Sequence, residues 1–222
     1  MASPNTAYRP AEPDSLHQRA LRIIKGTATF EDRFLPDHFE LVLLVDVLRS
    51  MGCKIAFVTG VWDLWHIGHG NYIQKGKEAA AKQYPDADHI VLVVGVDSDE
   101  FTRRRKGEGR PIVPEDERCR VLNHQRDVDI ITLQYEEDQL FQLVPHDVRI
   151  ISQSTQDLPA LERIQSQCAH VVNLPPQAET STTARIRRLT YDGATGLLLM
   201  LEKGLATVLE QIRTEVKNGN EK

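Results

Sequence analysis

The apolar positions of this chain change rhythm at residue 54. From there, short apolar runs at 54–59 (KIAFVT), 89–96 (HIVLVVGV), 129–133, 148–152 and 170–174 are separated by amphipathic stretches at 68–83, 114–126, 137–144, 158–167 and 181–189. Nearly continuous apolar runs of this length suit strands covered on both faces. Strands alternating with helices predict an α/β fold with a parallel sheet of about five strands between two helical layers. Right-handed crossovers make such a sheet doubly wound. Upstream, 15–25 reads as a short helix capped by Ser15 and stopped by Gly26, and 38–51 as an amphipathic helix ending at Gly52. A last helix over 197–217 closes the chain. The expected division is a flexible tail rich in Pro, Ala and Ser (1–14), an N-terminal helical extension (15–52), one α/β domain (53–190) and a C-terminal helical extension (191–222).

Composition narrows the function classes. With 41% hydrophobic and 27% charged residues among 222, wholesale disorder is excluded. A net charge of -5 argues against a broad electrostatic grip on nucleic acid. The longest apolar runs, such as 41–45 and 90–94, are too short to span a bilayer, and the N-terminus has no apolar core of a secretory signal. Cys53, Cys119 and Cys168 are far apart with no CxxC pair, so they read as reduced packing residues rather than disulfides or a zinc site. The expectation is a cytoplasmic protein with no nucleic-acid or membrane partner.

In doubly wound sheets ligands bind beyond the carboxyl ends of the strands. Chemistry is therefore expected in the loops after residues 59, 96, 152 and 174. The first reads Thr59-Gly60-Val61-Trp62-Asp63-Leu64-Trp65-His66-Ile67-Gly68-His69-Gly70. Gly60 lets backbone approach a ligand closely, and Gly68 leaves room for a nucleotide against the start of a helix. That helix N-terminus offers free N–H groups and partial positive charge to a phosphate. His66 and His69, three apart, share a face and can each donate to a phosphate oxygen. A zinc pair is the competing reading, and no third ligand with suitable spacing is visible. The run Arg103-Arg104-Arg105-Lys106 reads as a basic loop. Trp62 is either core or a wall of the site, and Asp97 is either a turn-former or a ligand contact at the end of the second strand. Ser181, at the head of Ser181-Thr182-Thr183, is a good helix N-cap, a role compatible with phosphate binding.

HIGH at 66–69 matches the HxGH signature of the nucleotidyltransferase superfamily, and VTGVWDLW at 58–65 resembles the strand-end segment before it. The stretch from Lys106 through Arg110 and Pro111 to Pro114, followed by Glu117-Arg118, resembles the second basic segment of these enzymes. Ser181-Thr182-Thr183-Ala184-Arg185-Ile186 resembles their C-terminal STT motif. The three fall in the family's order over roughly residues 50–190. The likeness is strongest to the cytidylyltransferase-like group, which includes glycerol-3-phosphate cytidylyltransferases and the adenylyltransferase half of ADP-heptose synthases.

That resemblance implies a Rossmann-like sheet and a Mg²⁺-dependent transfer of AMP or CMP from ATP or CTP to a phosphorylated sugar, alcohol or nucleotide-like acceptor, with release of pyrophosphate. It places Thr59, Gly60, Val61, Trp62, Gly68, Asp97 and Arg110 around the nucleotide. His66 and His69 hold the α- and β-phosphates, Lys106 acts as a mobile cation and Arg118 as a fixed one. Ser181, Thr182 and Thr183 grip the β- and γ-phosphates, and Asp63 orients Mg²⁺ through water. The stretch 177–183 has no Arg where cytidylyltransferases of this group carry one, which favours ATP over CTP. Residues 152–156 (SQSTQ) lack the lysine of the ADP-heptose enzymes, which argues against a heptose phosphate. A homodimer formed through the flanking helices belongs to the same expectation. Class I aminoacyl-tRNA synthetases share HIGH, but no KMSKS-like segment is present. A non-catalytic nucleotide sensor on the same fold is the alternative, distinguished by binding without turnover.

Overall fold

The computed structural model describes residues 13–153, 168–178 and 182–219. Its five strands, β1 (Lys54–Gly60), β2 (Ile90–Asp97), β3 (Ile130–Gln134), β4 (Val148–Ser152) and β5 (His170–Leu174), form one parallel sheet in the order β3-β2-β1-β4-β5. This is the doubly wound, Rossmann-like arrangement. The chain leaves β1 to build β2 and β3 on one side and returns to build β4 and β5 on the other. The crevice beyond the carboxyl ends of β1 and β4 is therefore the point where the strand order reverses, the usual ligand site of such sheets.

Three helices precede the sheet: α1 (Pro13–Ile24), α2 (Phe30–Arg33) and α3 (His38–Ser50). Asp37 caps α3, its carboxylate accepting from the Glu40 N–H at 2.9 Å, and Gly52 follows its end at φ 85°. The apolar stripe Leu41, Leu44, Val45 and Leu48 of α3, with Leu16, Ala20 and Ile23 of α1, packs on Ile55, Phe57, Val91, Val93 and Ile130 of the sheet. Residues 15–52 are thus no extension of the α/β domain but one of its two covering layers. An Arg19–Glu40 ion pair at 2.5 Å ties α1 to α3.

The opposite face carries α4 (Ile67–Gln83) and α6 (Glu115–Asn123). Ile73, Ala80, Cys119 and Leu122 meet Ala56, Val58, Leu92, Val94 and Val96 there, the alternate residues of the same strands. Gly76 lets α4 lie close on β4: a Cβ there would fall 2.9 Å from Ile150. Cys53 and Cys119 are buried free thiols that desolvation pushes up to about 11 and about 12, as suits packing residues.

Two shorter helices follow strands directly, α5 (Asp99–Lys106) after β2 and α7 (Gln139–Leu143) after β3. The basic run 103–106, expected as loop, is the last turn of α5. The Ser98 hydroxyl accepts from the Phe101 N–H at 3.1 Å, Asp99 and Glu100 sit in the first turn, and Gly107 ends the helix at φ 94°. Those charges complement the helix dipole at both ends. The two helices expected at 181–189 and 197–217 are one continuous α8 (Thr182–Gly219). The chain divides into a unit of residues 1–179 and a second, 180–222, so the boundary expected at 190 falls inside α8. The expected helix at 158–167 and most of the expected tail lie outside the described residues. Among the described residues no helix is long and apolar enough to cross a membrane.

Candidate active site

β1 ends at Gly60 and the chain turns sharply. Trp62 (φ 59°) and Leu64 (φ 46°) both adopt the left-handed region, uncommon for residues with a side chain. Burial holds this conformation in place, since Trp62 is 6% exposed and its indole N–H donates to the Gly95 carbonyl at 3.0 Å. A Cβ on Gly60 would lie 3.1 Å from that indole. The indole of Trp62 thus packs against Gly60, which places Trp62 in the core beneath the turn.

His66 is the N-cap of α4. Its Nδ1 accepts from the Gly68 N–H at 3.1 Å, which puts the ring proton of the neutral form on Nε2. The His69 ring stacks on that of His66, with centroids 3.9 Å apart and planes 25° from parallel. Trp62 meets His69 edge-on at 5.5 Å, and Trp65 lies 5.4 Å away. A Cβ on Gly68 would fall 2.9 Å from the His66 ring and 3.0 Å from the Ala178 methyl. Gly68 therefore admits the cap and the segment after β5 at close range. The Asn71 amide donates to the Gln177 carbonyl at 3.4 Å, so that segment rests on the first turns of α4.

Asp63 is 1% exposed and fully engaged with the loop before α6. One carboxylate oxygen accepts from the Ile112 N–H at 3.0 Å and pairs with Arg110 at 3.1 Å; the other accepts from the Val113 N–H at 2.9 Å. Arg118, expected to face phosphate, is also buried. Its Nε donates to the Val113 carbonyl at 2.9 Å, Nη1 to the Val61 carbonyl and Nη2 to Asp99 at 2.7 Å. Together Asp63 and Arg118 brace the loop after β1 against residues 110–113. Contact with a phosphate is not needed to explain either side chain, because the protein itself supplies partners to the guanidinium and to both carboxylate oxygens.

Asp97 ends β2 at the edge of the crevice, 2% exposed. It accepts from the Gln134 amide at 3.2 Å and from Arg105 at 3.1 Å. Burial raises its carboxyl above the usual value, and Arg105, Lys106 and Arg118 draw it back. Lys106, at the end of α5, is lowered by desolvation and by Arg110, while Asp97 and Asp63 act the other way. Lys106, Arg110, Asp63 and Asp97 thus share one electrostatic neighbourhood at the carboxyl end of the sheet. Thr59 lies at that end too, its hydroxyl 3.4 Å from Arg149 of β4. Ser181 lies outside the described residues; Thr182 and Thr183 begin α8, in the second unit.

Among the described residues no group of three His, Cys, Asp or Glu side chains could hold a metal ion. His66 and His69 therefore do not complete a zinc site with described ligands. Two polar residues of this region, Gln134 and Arg149, have no place in the sequence reading, and Arg105 figures there only as part of a basic run. For Arg149 a signal exists, a single charge in the strand VRIIS.

The site is thus framed by a doubly wound parallel sheet, a histidine-capped helix beyond its central strand and a braced basic loop beside it. The chain belongs to the cytidylyltransferase-like family, whose model matches residues 57–188. It is 33% identical over 159 residues to the bifunctional protein HldE of a Nitratiruptor species, covering 71% of this chain and 32% of that protein. It is 38% identical over 101 residues to HldE of Geobacter metallireducens, covering 46% and 19% of the two chains. The chain spans about a third or less of the length of these relatives. Among solved structures, the lipopolysaccharide core biosynthesis protein of Thermoplasma volcanium is similar at 24% identity and a TM-score of 0.43, covering 55% of this chain and 95% of that one. Pantothenate synthetase of Thermus thermophilus is similar at 16% identity and a TM-score of 0.43, covering 64% and 61%.

Proposed function

We propose that this nucleotidyltransferase moves AMP, in preference to CMP, from a Mg²⁺-bound nucleoside triphosphate to a phosphorylated small molecule. An acceptor oxygen forms a bond to the α-phosphorus, the bond from that phosphorus to the bridging oxygen breaks, and pyrophosphate leaves. No protein nucleophile is required, so the chain's contribution is to position the reactants and offset the charge that grows on the phosphates. The observation that carries this reading is the stacked His66–His69 pair at the N-terminus of α4. Its N–H donors and the helix dipole favour a polyanion there.

In this reading His66 and His69 contact the α- and β-phosphates, with Lys106 at the end of α5 and Arg110 on the loop beside them. A magnesium ion bound to the triphosphate would balance part of its charge, and Asp63 would hold it only through water. Asp63 and Arg118 otherwise serve as positioning residues. ATP is favoured because 177–183 lacks the arginine that a cytosine-binding enzyme of this group would carry.

The test is pyrophosphate release from ATP or CTP with a panel of sugar, alcohol and nucleoside monophosphates. Turnover with ATP is expected, and His69→Ala should lower it by about 10²–10³, far more than it lowers folding stability. Nucleotide binding without pyrophosphate release from any acceptor would make the chain a sensor. Parallel losses of activity and stability in His69→Ala would remove His69 from the chemistry.

A further inference from the structure

Arg149 puts a full charge into an otherwise uncharged strand, and the residue is 7% exposed. The register of β1 and β4 sets it opposite Phe57, so the two side chains share a face of the sheet. The guanidinium carbon lies 4.6 Å from the ring centroids of both Phe57 and Phe141. From there the side chain leans toward the carboxyl end of β1, where Nη2 stands 3.4 Å from the Thr59 hydroxyl. Nε and Nη1 are buried with no hydrogen-bond partner among the described residues.

Ring faces attract a cation but satisfy none of its N–H groups. Unmet donors on a buried charge are costly, and folding alone gives no reason to keep them. Burial pushes this guanidinium down to about 10, and Tyr72, Asp138 and Cys168 pull the other way. The position is not arbitrary. β1 and β4 flank the point where the strand order reverses, and Thr59 immediately precedes the loop that carries His66 and His69. A planar, rigid set of donors that the described residues leave unpartnered matches the oxygens of a phosphate group better than any single-point cation does.

We propose that Arg149 receives the phosphate group of the acceptor at the floor of the crevice between β1 and β4. Phe57 and Phe141 hold the guanidinium flat and Thr59 steadies one end. Its remaining N–H groups take two phosphate oxygens and leave a third turned toward the nucleotide. The assignment of that phosphate to an acceptor rests on the nucleotidyltransferase reading; the anion site itself does not.

Inorganic phosphate is the probe, titrated calorimetrically into the full chain, alone and after saturation with Mg²⁺ and a non-hydrolysable ATP analogue. Malonate serves as the carboxylate control. Arg149→Met keeps the stem between the two rings and should weaken phosphate at least about tenfold, the worth of one charged hydrogen bond. Affinity for the analogue should stay unchanged, malonate should bind more weakly than phosphate, and the ligand-free variant should melt at or above the wild-type temperature. If Arg149→Met does not fold, Arg149→Lys, which keeps the charge but not the planar donors, should show the same phosphate loss. A wild-type chain that does not bind phosphate, or a variant that binds it equally well, overturns the proposal. So does a lowered melting point with phosphate affinity intact, the mark of a purely structural plug. Failure of the analogue to bind would instead overturn the nucleotidyltransferase reading, while the phosphate titration without analogue still decides the anion site.

Discussion

Arg118→Met separates a loop brace from a phosphate ligand. The wild-type side chain is 1% exposed and donates to Val113, Val61 and Asp99 at once. Methionine keeps most of the stem volume, so the loss is polar rather than a cavity. Two carbonyls lose a donor, each worth about 1–3 kcal/mol if left unmet. Asp99 loses its cation; breaking a buried pair costs about 3–5 kcal/mol. These penalties overlap, and Asp99 at 26% side-chain exposure recovers part of its hydration. A total of about 3–5 kcal/mol is expected, which for a chain of this size lowers the melting point by roughly 10 °C. Urea unfolding followed by far-UV circular dichroism measures it. Stability within about 1 kcal/mol of wild type, joined to a collapse of turnover, would refute the brace and return Arg118 to the phosphates.

Gly68→Ala should cost about 1–3 kcal/mol by overpacking, because the new methyl meets the His66 ring at 2.9 Å and Ala178 at 3.0 Å; affinity for ATP should fall with it, and wild-type values in both calorimetric stability and ATP titration would count against the close fit. Asp32, paired with Arg22 and bonded by the Thr29 N–H, has its carboxyl lowered from 3.8 to about 2. A lowered carboxyl stabilises the fold above about pH 4 and loses that effect as the pH falls toward 2. With Arg22 42% exposed, the contribution is ~1–2 kcal/mol. Wild type should therefore exceed Asp32→Asn by that amount in urea at pH 7, and the gap should narrow by pH 3; a constant gap would contradict the assignment.

The strands are the most legible part of the chain. The apolar pattern locates 148–152 and 170–174 to the residue and 54–59 short only of Gly60, because a run of buried apolar residues between polar turns has few other solutions. α5 escapes such a reading because DEFTRRRK carries almost no apolar period; its caps and charge order define it instead. At the C-terminus the pattern suggests two helices, separated at glycines that α8 in fact runs through. At the site, the sequence points to the right loop and helix start but not to how their side chains are used. The backbone partners of Asp63, and the Val61 carbonyl that Arg118 reaches, lie about 50 residues away, beyond the reach of local spacing. Gly60 and Gly68 do mark close approaches, yet what approaches them is Trp62, His66 and Ala178, which only the folded chain brings there.

Because α1 and α3 cover one flank of the sheet, the polypeptide needed for a stable molecule starts far upstream of the segment that the family model matches. A fragment trimmed to residues 57–188 would lay bare an oily wall made of Phe57, Val91, Val93 and Ile130, an invitation to clump. Anyone dissecting this enzyme into a minimal working piece should cut ahead of α1, and should read loss of solubility in shorter versions as a stripped coat rather than as a fault in the chemistry.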